Sequence, residues 1–336
     1  MRKVLVTGAG GFIGHHLVNS LKSKGFHVIG IDVKRPEFEP SAADRFLIHD
    51  LTKAHPALEE VFDGVEDVWA LAADMGGMGF ISRNHGAIMR DNVTINIHTL
   101  EAARKARVKR YLYTSSACVY PEHLQAVAGA EPLSEPMAYP ANPQDGYGWE
   151  KLYTEKLCRY YHEECGLDVR IVRFHNIYGP LGTWQGGREK APAAICRRVA
   201  VAVQTGRDFI EIWGDGEQTR SFCHIEDCIQ GLHRVMESGH NGPLNLGRDE
   251  MVSINGLADI VMDVAGVKLR KTHVPGPQGV RGRNSDNSLC RKIIGWAPEI
   301  PLYEGMEKTY RWIYDQVHRQ TELSLDSQRR VAGSVL

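Results

Sequence analysis

The sequence predicts an α/β protein built on a doubly wound parallel sheet, and three observations carry that prediction. Short apolar runs alternate with helix-length amphipathic segments across the first half of the chain. A glycine-rich turn, Gly8-Ala9-Gly10-Gly11-Phe12-Ile13-Gly14, follows the first apolar run directly. The second run closes on an acid, Asp32, 18 residues past Gly14. Strand, glycine turn, helix, strand and terminal acid together make a site for a dinucleotide.

The bulk numbers narrow the field. At 336 residues, 43% hydrophobic and 24% charged, the chain can bury one large core or two modest ones. A net charge of -1 leaves no basic surplus for a nucleic-acid surface. Seven cysteines without a C-x-x-C pair suit the reduced thiols of a cytoplasmic protein and predict no metal site. Met1 leads straight into a strand, leaving no room for a signal peptide, and no apolar run reaches the roughly 20 residues of a membrane span.

Lys3 to Thr7 reads as a buried strand, and a helical pattern runs through Leu17, Val18 and Leu21 to Gly25. His27 to Ile31 is the next strand. The glycine spacing is G-x-x-G-x-x-G through Gly8, Gly11 and Gly14, because position 13 is Ile13. Glycine there lets backbone N–H groups approach a pyrophosphate at a helix start. Asp32 would accept hydrogen bonds from the adenosine ribose and repel a 2′-phosphate, which favours NAD over NADP. Lys34 and Arg35 argue the other way and are read as loop charges. Strands are also expected at Arg45 to His49 and Asp67 to Ala73, with Asp50 either a surface turn residue or an adenine contact. Met75-Gly76-Gly77-Met78-Gly79-Phe80 has too many glycines for regular structure and is read as a loop along which backbone meets a ligand.

A long helix is expected over residues 86–107, then a strand ending in Ser115-Ser116 and a Pro-rich loop to Pro143. The helix from Tyr147 to Glu164 stops at Gly166, and Asp168 to Phe174 forms another strand. Past Pro180 a polar, glycine-rich loop begins, followed by short strand-like pieces at Phe209 to Trp213 and Pro243 to Leu246. Residues 1–180 are therefore expected to form the Rossmann domain, with a return excursion near 208–240. A smaller substrate-binding domain takes 181–207 and 241–320, including a last helix from Leu302 to Val317. The polar residues 321–336 are expected to be disordered.

The chemistry gathers between Tyr111 and Lys151. Tyr147 and Lys151 lie four apart, hence on one helix face. A phenol titrates near 10, so it needs help to act as a base at neutrality. The Lys151 ammonium one turn away and the cationic nicotinamide of bound NAD are both expected to favour the phenolate. Tyr147 could then take a hydroxyl proton while hydride leaves the same carbon, with Ser116 holding the oxygen. His224 beside Asp227 is read as a helix-start hydrogen bond, not a catalytic dyad.

Gly8 to Gly14, Ser116, the Tyr147/Lys151 pair and Arg173 to Pro180 resemble the extended short-chain dehydrogenase/reductase family, the NAD-dependent epimerases and dehydratases of nucleotide sugars. Narrower stretches resemble one group within it, the GDP-mannose 3,5-epimerases: Ala72 to Phe80, Ser115 to Pro121, Gly182 to Pro192, Trp213 to Phe222 and Gly279 to Asn287. That resemblance implies conversion of GDP-α-D-mannose to GDP-β-L-galactose, with GDP-L-gulose from C5 inversion alone. It makes Cys118 a base and Lys190 an acid on either side of a sugar oxidised transiently at C4. Related dehydratases carry an acidic pair at the positions of Ala117 and Cys118. Cofactor contacts are expected at Gly8, Gly11, Phe12, Ile13, Gly14, Asp32, Asp50, Leu51, Ala72, Tyr147 and Lys151. Substrate contacts are expected at Gly76, Gly77, Ser116, Asn176, Lys190, Arg198, Gln218, Arg220 and Arg283, whose arginine forks suit a diphosphate. A homodimer is implied as well; Asn84 to Lys105 is a candidate face whose apolar side could equally be core. The rivals are a 4-epimerase or 4,6-dehydratase on the same scaffold, or a dinucleotide sensor without turnover.

Overall fold

The computed structural model describes residues 1–54 and 57–333. The chain opens with β1 (Lys3–Thr7), α1 (Phe12–Ser23), β2 (His27–Asp32) and β3 (Arg45–Ile48). Then come α2 (Ala57–Phe62), β4 (Asp67–Ala70), α3 (Met78–Ile81), α4 (His85–Lys105) and β5 (Arg110–Ser116). α5 (Gly146–Cys165) stops at Gly166, whose left-handed φ of 70° turns the chain into β6 (Val169–Phe174). The two-residue period of a strand sorts the core. Val4 and Val6 join Leu17, Val18 and Leu21 of α1 on one face, while Leu5 joins Leu100 and Ala103 of α4 on the other. Burial on both faces explains why these strands read as continuous apolar runs.

The second half begins with β7 (Ile177–Tyr178), α6 (Ala191–Thr205), β8 (Phe209–Trp213), β9 (Thr219–Ser221) and β10 (Cys223–His224). α7 (Ile225–Glu237), β11 (Pro243–Leu246), β12 (Met251–Ser253) and α8 (Ile254–Val264) follow. β13 (Arg270–Val274), β14 (Gly282–Arg283), α9 (Ser288–Ile294) and α10 (Leu302–Gly333) complete the chain. The main sheet has seven parallel strands in the order β11-β6-β5-β4-β1-β2-β3. A second core forms where α6, α8 and α10 pack around Ile195, Val199, Leu257, Val261, Met306 and Ile313.

Three expectations change. The seventh sheet strand is β11, beyond the expected 208–240 return and inside the segment given to the smaller domain; Leu244 and Leu246 are fully buried against α7 and β6. β8, inside that return, pairs with β13 instead, because only Ile210 and Ile212 are buried and one face is all it can cover. The glycine loop contains one helical turn, α3, whose Phe80 and Ile81 N–H groups donate to the Gly77 carbonyl at 2.9 and 3.1 Å. α10 also runs on through Gly333, past the point where disorder was expected from 321. That stretch includes the helix formers Glu322, Leu323, Leu325, Gln328, Arg329 and Arg330, with no glycine or proline before Gly333. Residues 334–336 lie outside the described residues.

Candidate active site

A cavity of about 930 Å³ opens beyond the carboxyl ends of β1, β2, β4, β5 and β6, beneath the smaller unit. Every expected site residue lines it, from Gly8, Phe12, Ile13, Asp32, Asp50, Leu51 and Ala72 at one end to Gln218, Arg220 and Arg283 at the other. The fold therefore gathers residues from Gly8 to Arg283 into one space.

The dinucleotide end is built from close approach. A methyl at Gly14 would stand 2.0 Å from the Gly8 carbonyl oxygen, so α1 packs on the turn only because no side chain intervenes. α1 starts at Gly11 with no side chain capping its first N–H groups, which leaves that turn free for an anion. The Asp32 carboxylate closes β2, accepting N–H from Gly10 at 2.9 Å and from Lys34 at 3.1 Å. Asp50 accepts from the Thr52 N–H and hydroxyl, which holds its carboxyl below the ordinary value. An open helix start beside a fixed carboxylate fits the pyrophosphate and ribose of a dinucleotide.

The reaction end turns on Ser116, which ends β5. Its Oγ accepts the Cys118 N–H at 3.2 Å and so begins the single turn Ala117–Val119. α5 starts directly against that turn. Asp145 caps it by accepting the Gly148 N–H at 2.8 Å, and a methyl at Gly148 would stand 2.2 Å from the Cys118 carbonyl oxygen. Tyr147 and Cys118 are neighbours for this reason. The thiol has a cation beside it: Arg283 Nη1 lies 3.3 Å from Cys118 Sγ. Lys190 presents its side chain to the cavity and meets solvent there. Even so, the surrounding protein desolvates it and pulls its ammonium below the ordinary lysine value, with Arg283 acting the same way and Cys118 against it.

The protein's own groups act against the Tyr147 phenolate. Lys151 Nζ donates to the Thr114 carbonyl at 2.9 Å and stands 5.5 Å from the Tyr147 ring centroid. Burial pushes the phenol well above its ordinary value, the Glu150 carboxylate and Cys118 push the same way, and the Ser116 hydrogen bond opposes them. Lys151 is itself held down by burial. The spacing shows the shared face but not the desolvation, which wins. Glu150 was not singled out in the sequence; its Oε1 accepts from Asn92 at 2.8 Å and lies 3.9 Å from Lys151 Nζ.

At the far end three guanidiniums face the cavity. Arg220 spends its donors on the carbonyls of Thr219, Gln278 and Val280, and burial, followed by Arg283, lowers it to about 9. Arg198 donates to Glu211 O at 2.7 Å and lies 5.2 Å from the Trp213 ring centroid. Arg283 Nε donates to Gln125. Among the described residues none of the three meets a carboxylate within ion-pair distance, so a bound anion would be their counter-charge. Gln218 is buried with its Oε1 unbonded, and Asn176, at φ 47°, is tied to Ser221 O at 2.9 Å. His224 caps α7 through the Glu226 N–H at 3.4 Å, the structural role read from sequence. Arg188 and Trp213 also line the cavity and were not singled out as site residues, since an isolated loop arginine or strand-end tryptophan carries no pattern.

Residues 4–247 match the model of the NAD dependent epimerase/dehydratase family. The chain belongs to that family. Its cofactor is NAD. The chain is 48% identical to GDP-mannose 3,5-epimerase of Arabidopsis thaliana over 338 residues, covering 99% of this chain and 88% of that protein. Its fold is similar to UDP-glucose 4-epimerase of Thermotoga maritima solved with UDP-glucose, at a TM-score of 0.84 and 25% identity, covering 94% of this chain and 99% of that one. It is also similar to UDP-glucuronic acid 4-epimerase of Bacillus cereus, solved with UDP-glucuronic acid and NAD, at 0.79 and 26% with the same coverage. No helix among the described residues is long and apolar enough to cross a membrane.

Proposed function

We propose that this family member is a nucleotide-sugar epimerase that converts GDP-α-D-mannose to GDP-β-L-galactose, with GDP-L-gulose formed when C5 alone inverts. The observation that carries the reading is a thiol with an arginine at 3.3 Å, sharing one cavity with Lys190, Tyr147 and Ser116. The 48% identity to the Arabidopsis enzyme supports the substrate. The three cavity arginines supply the positive charge a diphosphate needs.

NAD, when bound, supplies acceptance of hydride from C4 of the hexose and its later return. Tyr147 takes the C4 hydroxyl proton while Ser116 holds the oxygen. The phenol, raised by burial, needs positive charge brought with the ligands before it can do so. With a carbonyl at C4, the C–H bonds at C3 and C5 become acidic. Cys118, whose sulfur lies 3.3 Å from the Arg283 guanidinium, takes a proton from one ring face as its thiolate. Lys190, whose lowered value makes the ammonium a readier donor, delivers a proton to the other. Each inversion leaves a thiol and a neutral amine, and exchange with solvent restores the thiolate and ammonium. Incubating the protein with GDP-mannose and identifying the sugars by NMR tests the reading. L-galactose and L-gulose products support it; a C4 epimer or a stable keto-sugar assigns the chain to a rival activity.

The enzyme we propose is a cytoplasmic homodimer. Its seven cysteines are all free, as a reducing compartment keeps them. The half-exposed Met89 and Ile97 of α4, beside Trp149, Tyr153 and Tyr160 of α5, offer an apolar face that a second copy would cover.

A further inference from the structure

We infer that Arg188 is a positioning residue, a clasp that ties the loop ending in Lys190 to the glycine loop and fixes where the Lys190 amine stands. The inference rests on the reading of Lys190 as proton donor. Arg188 Nη1 donates to Asp74 Oδ1 at 2.8 Å and to the Met75 carbonyl at 3.3 Å. Its guanidinium carbon lies 3.8 Å from the Phe80 ring centroid. The main chain adds a third link, the Gly77 N–H donating to Arg188 O at 3.0 Å. The two loops touch so closely there that a methyl at Gly77 would stand 2.6 Å from Glu189 O.

The other side of the loop is pinned as well. Glu189 accepts from the Gly187 N–H at 2.7 Å and from Arg197 of α6 at 3.0 Å, and Lys190 is the residue from which α6 starts. Lys190 is thus held from behind by a helix and in front by the clasp. Both clasped loops line the cavity, so parting them moves Lys190 and widens the mouth together. An ion pair this exposed and a single ring stack are each weak. The clasp can therefore open and close without disturbing either core. Arginine lays a flat face on Phe80 while its Nη1 serves Asp74 and the Met75 carbonyl together; lysine keeps the charge and the donors but loses the stack. Proton delivery to the ring face opposite Cys118 is sensitive to placement, since a shift of about 1 Å can cost on the order of 100-fold in rate.

The test uses the full-length protein as Arg188→Ala, Arg188→Lys and Asp74→Asn, with two readouts. One is amide hydrogen exchange over residues 74–81 and 186–190 without substrate; the other is solvent deuterium entering C3 and C5 of GDP-mannose. Arg188→Ala should speed exchange in both segments and slow deuterium entry on the order of 10- to 100-fold, acting on kcat more than KM. Arg188→Lys and Asp74→Asn should fall between, and they carry the test if the alanine variant does not fold. Unchanged amide exchange, or faster exchange with deuterium entry intact, overturns the clasp. Slower deuterium entry with unchanged amide exchange overturns it too, by making Arg188 a substrate contact. If wild type takes up no deuterium at either carbon, the Lys190 reading fails, while the amide data still decide whether the loops are clasped.

Discussion

Arg283 and Cys118 are 165 residues apart, and nothing in their spacing joins them. The resemblance places Arg283 at the substrate; the fold also sets it against the sulfur. Arg283→Met should slow alkylation of Cys118 by iodoacetamide at neutral pH by on the order of tenfold, read by mass spectrometry of the modified peptide. Lys190 yields a pH prediction. Its ammonium is the form that donates, and desolvation by the surrounding protein lowers its titration. Activity should therefore fall as pH rises through a value below the ordinary lysine range, a limb that Lys190→Arg should remove from whatever activity remains. The Tyr147/Lys151 face was legible because four residues make one helical turn. The raised phenol was not, because desolvation depends on what the fold packs around it.

At the scale of elements, the start of α5 decides whether Tyr147 and Cys118 meet. Gly148→Ala would drive a methyl into the Cys118 carbonyl oxygen, 2.2 Å away, and force helix and turn apart. We expect a destabilisation of about 1–3 kcal/mol by chemical denaturation, with activity falling further than stability. One turn on from Lys151, Glu155 accepts from Ser115 and from Arg173 at 2.7 and 2.8 Å, tying α5 to β5 and β6 inside the core. Glu155→Gln leaves Arg173 buried without its carboxylate and should cost about 3–5 kcal/mol. Strands of the first half were legible because both faces are apolar. The strand-like piece at Pro243 to Leu246 was legible as well, but its place in the main sheet was not, since four residues around a central Asn245 do not say which sheet they join. That asparagine is buried, but its amide is satisfied by Leu133 O and Asp286 O, a network invisible before folding.

For the whole molecule, the proposed function makes the strand ends of a parallel sheet the seat of the dinucleotide and the arginines of a smaller unit the seat of the diphosphate. The glycine spacing and Asp32 were enough to read the first part. The second was read through likeness, since an arginine on a loop is a surface charge until a cavity forms around it. The face of α4 and α5 predicts a dimer mass of twice 37.5 kDa by light scattering. Trp149→Lys with Tyr153→Glu should shift it to the monomer. The central claim is that Cys118 and Lys190 invert carbons flanking a C4 ketone that exists only during turnover. It is tested most directly by running the reaction in D2O and locating the label by NMR. Deuterium at C3 and C5 of the L-galactose product with none at C4 is the predicted result. Label at C4, or product whose C3 and C5 carry only protium, would contradict it.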